Sequence, residues 1–209
     1  MKTNTTRTAP RSELRTVPPG RKSNDTYRGR EHLKAHEVDI LQAAAKRNRW
    51  GHRDATIILI MRRHGQRVSE VCNLEWADVD LKDGTLNMRR LKGSDAGTHY
   101  LKGDEMRALR ALKREQEERG INSRYVFVSE RGDQFTRAGI AKMIKRAGIE
   151  AGLGDHVHPH QLRHYVGYAH TEAGIDTRTL QGFLGHKSIN STTRYAAIAP
   201  GRFKKLAAT

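Results

Sequence analysis

A single cysteine, Cys72, excludes an internal disulfide and a thiolate zinc cluster. Acidic residues are scarce: 23 Asp and Glu stand against 39 Lys and Arg, for a formal charge of +16 and a pI near 10.4. A field of that sign favours a polyanion, with DNA and RNA ahead of an acidic membrane surface. No apolar run reaches the roughly 18 residues needed to span a bilayer. The first thirty residues hold no hydrophobic stretch of the secretory type, so a soluble, intracellular protein with no membrane partner is expected. Metal-binding sets of Asp and Glu are also missing, and no metal is expected. The length of 209 residues suits one domain with a substantial core, or one domain and a tail.

Residues 1–30 carry eight Lys or Arg against two acidic residues, with Pro10, Pro18 and Pro19 and few large apolar side chains. Such a segment buries too little surface to offset its ordering entropy. It reads as a flexible basic arm, either phosphate-binding or a solvated leader. Val38, Leu41 and Ala45 then predict a helix over about 35–47, with Gly51 as the break after it. The run Ile57 to Met61, inside 55–64, is too apolar for a surface helix and predicts the centre of the domain. Gly65 makes a turn, and a helix over 68–76 follows, with Arg67 at its N-terminal edge and Glu70 one turn on.

Residues 78–83 read as a turn, 85–91 as a strand, and 98–101 as its antiparallel partner across a loop that puts Lys92 at a hairpin tip. On its own a tip lysine is more often solubilising than functional. Asp104 is expected to cap a polar helix to about Arg119. Tyr125 to Val128 predicts a short strand. Residues 136–151 predict a helix with Ile140, Met143, Ile144 and Ala147 on its apolar face. Lys142, Lys145 and Arg146 on its other side suit DNA-backbone contacts as well as a solvated face. The expected fold class is mainly α with a small antiparallel β-sheet.

The densest chemistry lies between His158 and Tyr195. On a helix His160 and Arg163 share a face, and Leu162, Val166, Ala169 and Ala173 form the opposite, apolar one. Gly167, one turn beyond Arg163, leaves room for close approach of another group. A second helix over 177–184, capped by Asp176 or Thr177, ends at Gly185, with His186 and then Tyr195 beyond it. A phenol, imidazoles and guanidiniums suit metal-free attack on a phosphodiester. Only about 0.1% of a free tyrosine is ionised at neutral pH, so the phenol needs a base or a strongly positive site. Arginine forks match phosphate oxygens. Zinc on His158, His160 and His164 is disfavoured, because no Glu stands between His160 and His164.

The motifs GQRVSEVCNLEWADVDL at 65–81, RRLKGSDAGTHYL at 89–101, HPHQLRH at 158–164, LGH at 184–186 and the tyrosine nine residues later occur in a specific joint order. In them the chain resembles the catalytic domain of the tyrosine recombinase, or phage integrase, family, over about Leu33 to Phe203. RRLKG, GIDTR and GRF are similar to the bacterial recombinases that invert fimbrial promoter switches.

The resemblance implies a site-specific DNA recombinase. Tyr195 would be the nucleophile, and Arg67 and Arg163 would clamp the phosphate. Lys92 would protonate the leaving 5′ oxygen, His160 would assist proton transfer, His186 would hydrogen-bond the phosphate, and Glu70 would orient Arg67 or His160. It implies no cofactor, double-stranded DNA as partner, a tetramer on paired sites, and inversion or integration and excision as outcome. The expected organisation is a basic arm over 1–30, the catalytic domain over 31–198 and a short tail over 199–209, with Phe203 and Leu206 as docking anchors. The arm, or a DNA-bending protein, would replace the separate N-terminal clamp domain of many relatives. A cytoplasmic, nucleoid-associated bacterial protein follows. The alternatives are a DNA-binding regulator of the same fold that does not recombine, and a topoisomerase-like nicking and resealing activity.

Overall fold

The computed structural model describes residues 31–89 and 97–198. Helix α1, Ala35–Lys46, buries Val38, Leu41, Ala44 and Ala45. Its first turn is closed by the Lys34 N–H, which donates to Glu37 at 2.7 Å. Gly51 does not mark a break: it is the first residue of α2, Gly51–His64. A Cβ there would lie 1.9 Å from the Lys46 carbonyl oxygen, so only glycine lets α2 begin hard against the end of α1. Ile57, Ile58, Ile60 and Met61 are fully buried, and α2 is the central helix that its apolar run predicts. Helix α3, Val68–Cys72, is shorter than expected. The chain leaves it so that the Leu74 carbonyl can accept from Val126, and a 3₁₀ turn follows at Trp76–Asp78.

Strands β1 (Val79–Asp80), β2 (Thr85–Met88) and β3 (Gly97–Tyr100) form one antiparallel sheet in that order. Leu86 and Met88 face the core and Asn87 faces out, as the alternation predicts. The expected turn at 78–83 contains β1, because Val79 pairs with Leu86 before Asp80 accepts from the N–H groups of Lys82 and Asp83. Tyr125 to Val128 is not a strand. It makes isolated bridges, Glu75 with Tyr125 and Val128 with Gln134, while burying Val126, Phe127 and Val128.

Helix α4, Gly103–Glu118, is capped at Lys102, whose N–H donates to Glu105 at 2.9 Å. Asp104 lies inside the first turn and pairs with Arg63 at 2.9 Å instead of capping. Thr136 caps α5, Arg137–Glu150, by accepting from the Gly139 N–H. Three helices complete the fold: α6, Pro159–Glu172; α7, Thr177–Leu184, capped by Asp176; and α8, Asn190–Ile198. Within α6 the apolar face is narrower than expected, for Leu162 and Val166 are buried but Ala173 is exposed.

The main core gathers α1 to α6 and the sheet, and Cys72 lies in it, its thiol pushed by burial up to about 11. A second, smaller cluster joins Val166 and Tyr168 of α6, Leu180 and Leu184 of α7, and Tyr195 of α8. The architecture is mainly α with a small antiparallel sheet, as expected. Among the described residues no helix is long and apolar enough to cross a membrane.

Candidate active site

Two arginines from distant parts of the chain converge on one bend. Arg163 of α6 is only 2% exposed, and its guanidinium donates to the carbonyls of Gly65 and Leu184. Arg67, at the start of α3, donates through Nη1 to Glu70 (2.7 Å) and through Nη2 to the Gly185 carbonyl (2.9 Å). The Arg67 backbone N–H donates to the other Glu70 oxygen at 2.9 Å. Successive carbonyls at the end of α7 therefore bind one guanidinium each. Burying Arg163 without such acceptors would be costly. The sequence places Arg163 on the polar, ligand-facing side of α6, and the fold buries its guanidinium beside the left-handed bends at Gly65 and Gly185. Both carboxylate oxygens of Glu70 are thus engaged by Arg67.

Tyr195 reaches the same place from α8 and is 1% exposed. Its ring fills the gap left by Gly167, where a Cβ would stand 2.6 Å from two ring carbons. Gly167 thus admits a neighbour as its spacing predicts, and the neighbour is Tyr195. Tyr168 meets the ring edge-on at a centroid distance of 5.1 Å, and the His186 ring lies 6.2 Å away at 24°. His186 Nδ1 is 2.8 Å from the hydroxyl of Thr192, which ties the bend after α7 to α8.

The sequence brings in His164 only as a disfavoured zinc ligand, yet its Nδ1 lies 3.1 Å from the Tyr195 hydroxyl. Exposed His160 touches it edge-on, with ring centroids 4.7 Å apart. The signal available was helical spacing: His164, Gly167 and Tyr168 form one stripe of α6, the stripe that Tyr195 covers. Burial pushes the Tyr195 phenol up from its ordinary range, against the lowering effect of Arg163 and Arg194. Burial, His160 and nearby arginines push His164 down to about 3. Burial, Arg163 and Arg67 do the same to His186. Both shifts favour the neutral forms, a protonated phenol beside an uncharged His164 imidazole.

Lys92 lies outside the described residues. The hairpin that carries it is anchored at its base by buried His99, which is 3.1 Å from His64 Nδ1 and stacks on Phe183 at 4.2 Å. His64 in turn is 2.7 Å from Glu105. On α5, Lys142 is exposed and lines an open cleft with Arg53, Arg131 and Arg146. Lys145 pairs with Asp155 at 3.2 Å and Arg146 with Asp54 at 3.5 Å. Among the described residues no group of three His, Cys, Asp or Glu is arranged to hold a metal ion.

Two guanidiniums, two imidazoles and a tyrosine around one bend of a mainly helical fold define a class. The chain belongs to the phage integrase family, whose model matches residues 31–202, and it is a tyrosine-type site-specific recombinase. Within that class it is similar to the type 1 fimbriae regulatory protein FimE of Escherichia coli K12, at 39% identity over 85% of this chain and 90% of the relative. The crystal structure of XerA recombinase superposes with a TM-score of 0.73 at 30% identity, covering 84% of this chain and 63% of that one. XerH recombinase in a post-cleavage complex with palindromic difH substrate gives 0.72 at 24% identity, over 84% of this chain and 52% of that one. The chain thus spans less than two thirds of these two solved chains.

Proposed function

We propose that Tyr195 cleaves and rejoins double-stranded DNA. Its phenol oxygen attacks the scissile phosphorus while the bond to the 5′ oxygen breaks, leaving a 3′-phosphotyrosyl link and a 5′ hydroxyl. Attack by a 5′ hydroxyl then releases Tyr195 and restores a phosphodiester, so the bond energy is kept. Arg67 and Arg163 hold the non-bridging oxygens as charge builds on them. Lys92 protonates the leaving 5′ oxygen, His186 hydrogen-bonds the phosphate, and His160 moves the nucleophile's proton through His164.

The observation that most supports this reading is the anchoring of both guanidiniums on consecutive carbonyls, Leu184 and Gly185, beside the phenol. A guanidinium has five donors in a rigid fork, so anchoring fixes the plane of Arg67 and leaves donors for a phosphate. A protein that only binds DNA would have no use for a tyrosine at that place. Likeness to FimE favours inversion of a DNA segment as the outcome, ahead of integration or excision. A tetramer on paired sites, with a DNA-bending protein or residues 1–30 adding grip, is part of the same proposal. Lys142, Lys145 and Arg146 are the proposed backbone contacts of α5.

Covalent trapping on nicked suicide DNA from the neighbourhood of the protein's own gene tests the assignment. The wild type should form an adduct that survives denaturation, and Tyr195→Phe should bind equally and form none. An adduct retained by the variant would place the nucleophile elsewhere.

A further inference from the structure

Tyr195 is held from a second side, by residues just before the first described helix, α1. Oε2 of Glu31 accepts the Tyr168 hydroxyl proton at 3.0 Å, and Oε1 lies 3.8 Å from Nη2 of Arg194. His32 lies against the Tyr168 ring at a centroid distance of 4.0 Å. Tyr168 belongs to α6 and meets the Tyr195 ring edge-on, while Arg194 is the residue before Tyr195 on α8. One carboxylate thus crosses the seam between the helix that carries Arg163 and the helix that carries the nucleophile. On the α8 side of that seam the side chains described as buried are Thr192 and Tyr195.

We infer that Glu31 is a positioning residue for the nucleophile: by bridging Tyr168 and Arg194 it keeps α8 in the closed placement in which Tyr195 is shut from solvent, and it must let go before cleavage. The inference rests on Tyr195 being the nucleophile. Two further observations agree with it. Glu31 adds its negative charge to the influences that keep the Tyr195 phenol protonated. Its carboxylate also takes up Arg194, the cation next to the nucleophile, which an incoming DNA phosphate would compete for.

The first arm of the test needs no DNA. Tetranitromethane nitrates accessible tyrosines, and peptide mass spectrometry reads each site separately, with Tyr100, 80% exposed, as internal reference. Glu31→Gln and Tyr168→Phe should each raise nitration of Tyr195 severalfold and leave half-buried Tyr125 unchanged. In the second arm, Glu31→Gln should form the suicide-DNA adduct faster at equal DNA binding, with its pH profile displaced toward acid. The inference is overturned if Tyr195 nitration and the pH profile both stay at wild-type values, or if Tyr125 rises with Tyr195, which would mean general loosening. A wild type that forms no adduct would sink the cleavage reading, while the nitration arm would still report on the clasp.

Discussion

A methyl group on residue 167 would stand 2.6 Å from Cε2 and Cζ of Tyr195, well inside contact distance, and the atoms it meets belong to a rigid ring in a buried cluster. Either α8 moves outward or the ring turns away from His164. Overpacking of this kind costs about 1–3 kcal/mol. Gly167→Ala should therefore lower the unfolding free energy from urea titration by that amount and reduce covalent trapping, while DNA binding, which does not need the phenol, stays near wild type. Full trapping would show that the closed ring position has no bearing on cleavage.

The residues of this site differ in how far the sequence exposes them. Arg67, Arg163, His186 and Tyr195 are legible as a spaced set, because their chemistry is unusual in combination. The inward turn of Arg163 is not, since a helical wheel cannot tell solvent from the two carbonyls that receive it. His164 is hidden for a related reason: an imidazole one position after an arginine acquires meaning only when α8 lays a phenol on it.

Among the elements, α1 and α5, with a regular apolar stripe, follow from periodicity almost to the residue, while α2 begins four residues before its apolar segment over 55–64. Helix α8 does not. Its sequence opens Asn-Ser-Thr-Thr-Arg, of modest helix propensity, and nothing marks its buried positions as a stripe. Gly51 and Asp104 mislead because glycine and aspartate commonly bound helices, whereas here Gly51 permits a close approach and Asp104 pairs with Arg63.

The seam of α6, α7 and α8 also makes stability depend on pH. His164 and His186 sit near 3 in the folded protein against an ordinary 6.5. Between those values the unfolded chain binds protons that the folded one does not, so stability is full above about pH 6.5 and is lost as pH falls toward 3. Thermal unfolding should therefore drop across that window. His186→Asn, which keeps a polar partner for Thr192, should flatten the drop. An equally steep fall in the variant would assign the acid sensitivity elsewhere.

At the scale of the whole molecule the dominant quantity is charge. Of the formal +16, residues 1–30 contribute eight basic and two acidic side chains, leaving the remainder basic in its own right. Each phosphate neutralised on duplex DNA releases counterions and adds about 0.9 to the steepness with which affinity falls against the logarithm of salt. If the whole net charge of the N-terminal segment engages the backbone, deleting residues 1–30 should reduce that slope by up to about five. The folded part keeps its own share, and Lys142 on the open face of α5 is a side chain expected to carry one unit of it. Arg146 is a poorer donor to DNA because it already faces Asp54, which is fully buried. Measured by fluorescence anisotropy across a salt series, Lys142→Ala should lower the slope by about one, additively with the deletion. A slope unchanged by the deletion would leave the N-terminal segment without backbone contacts and assign the grip on DNA to the helical domain and a partner protein.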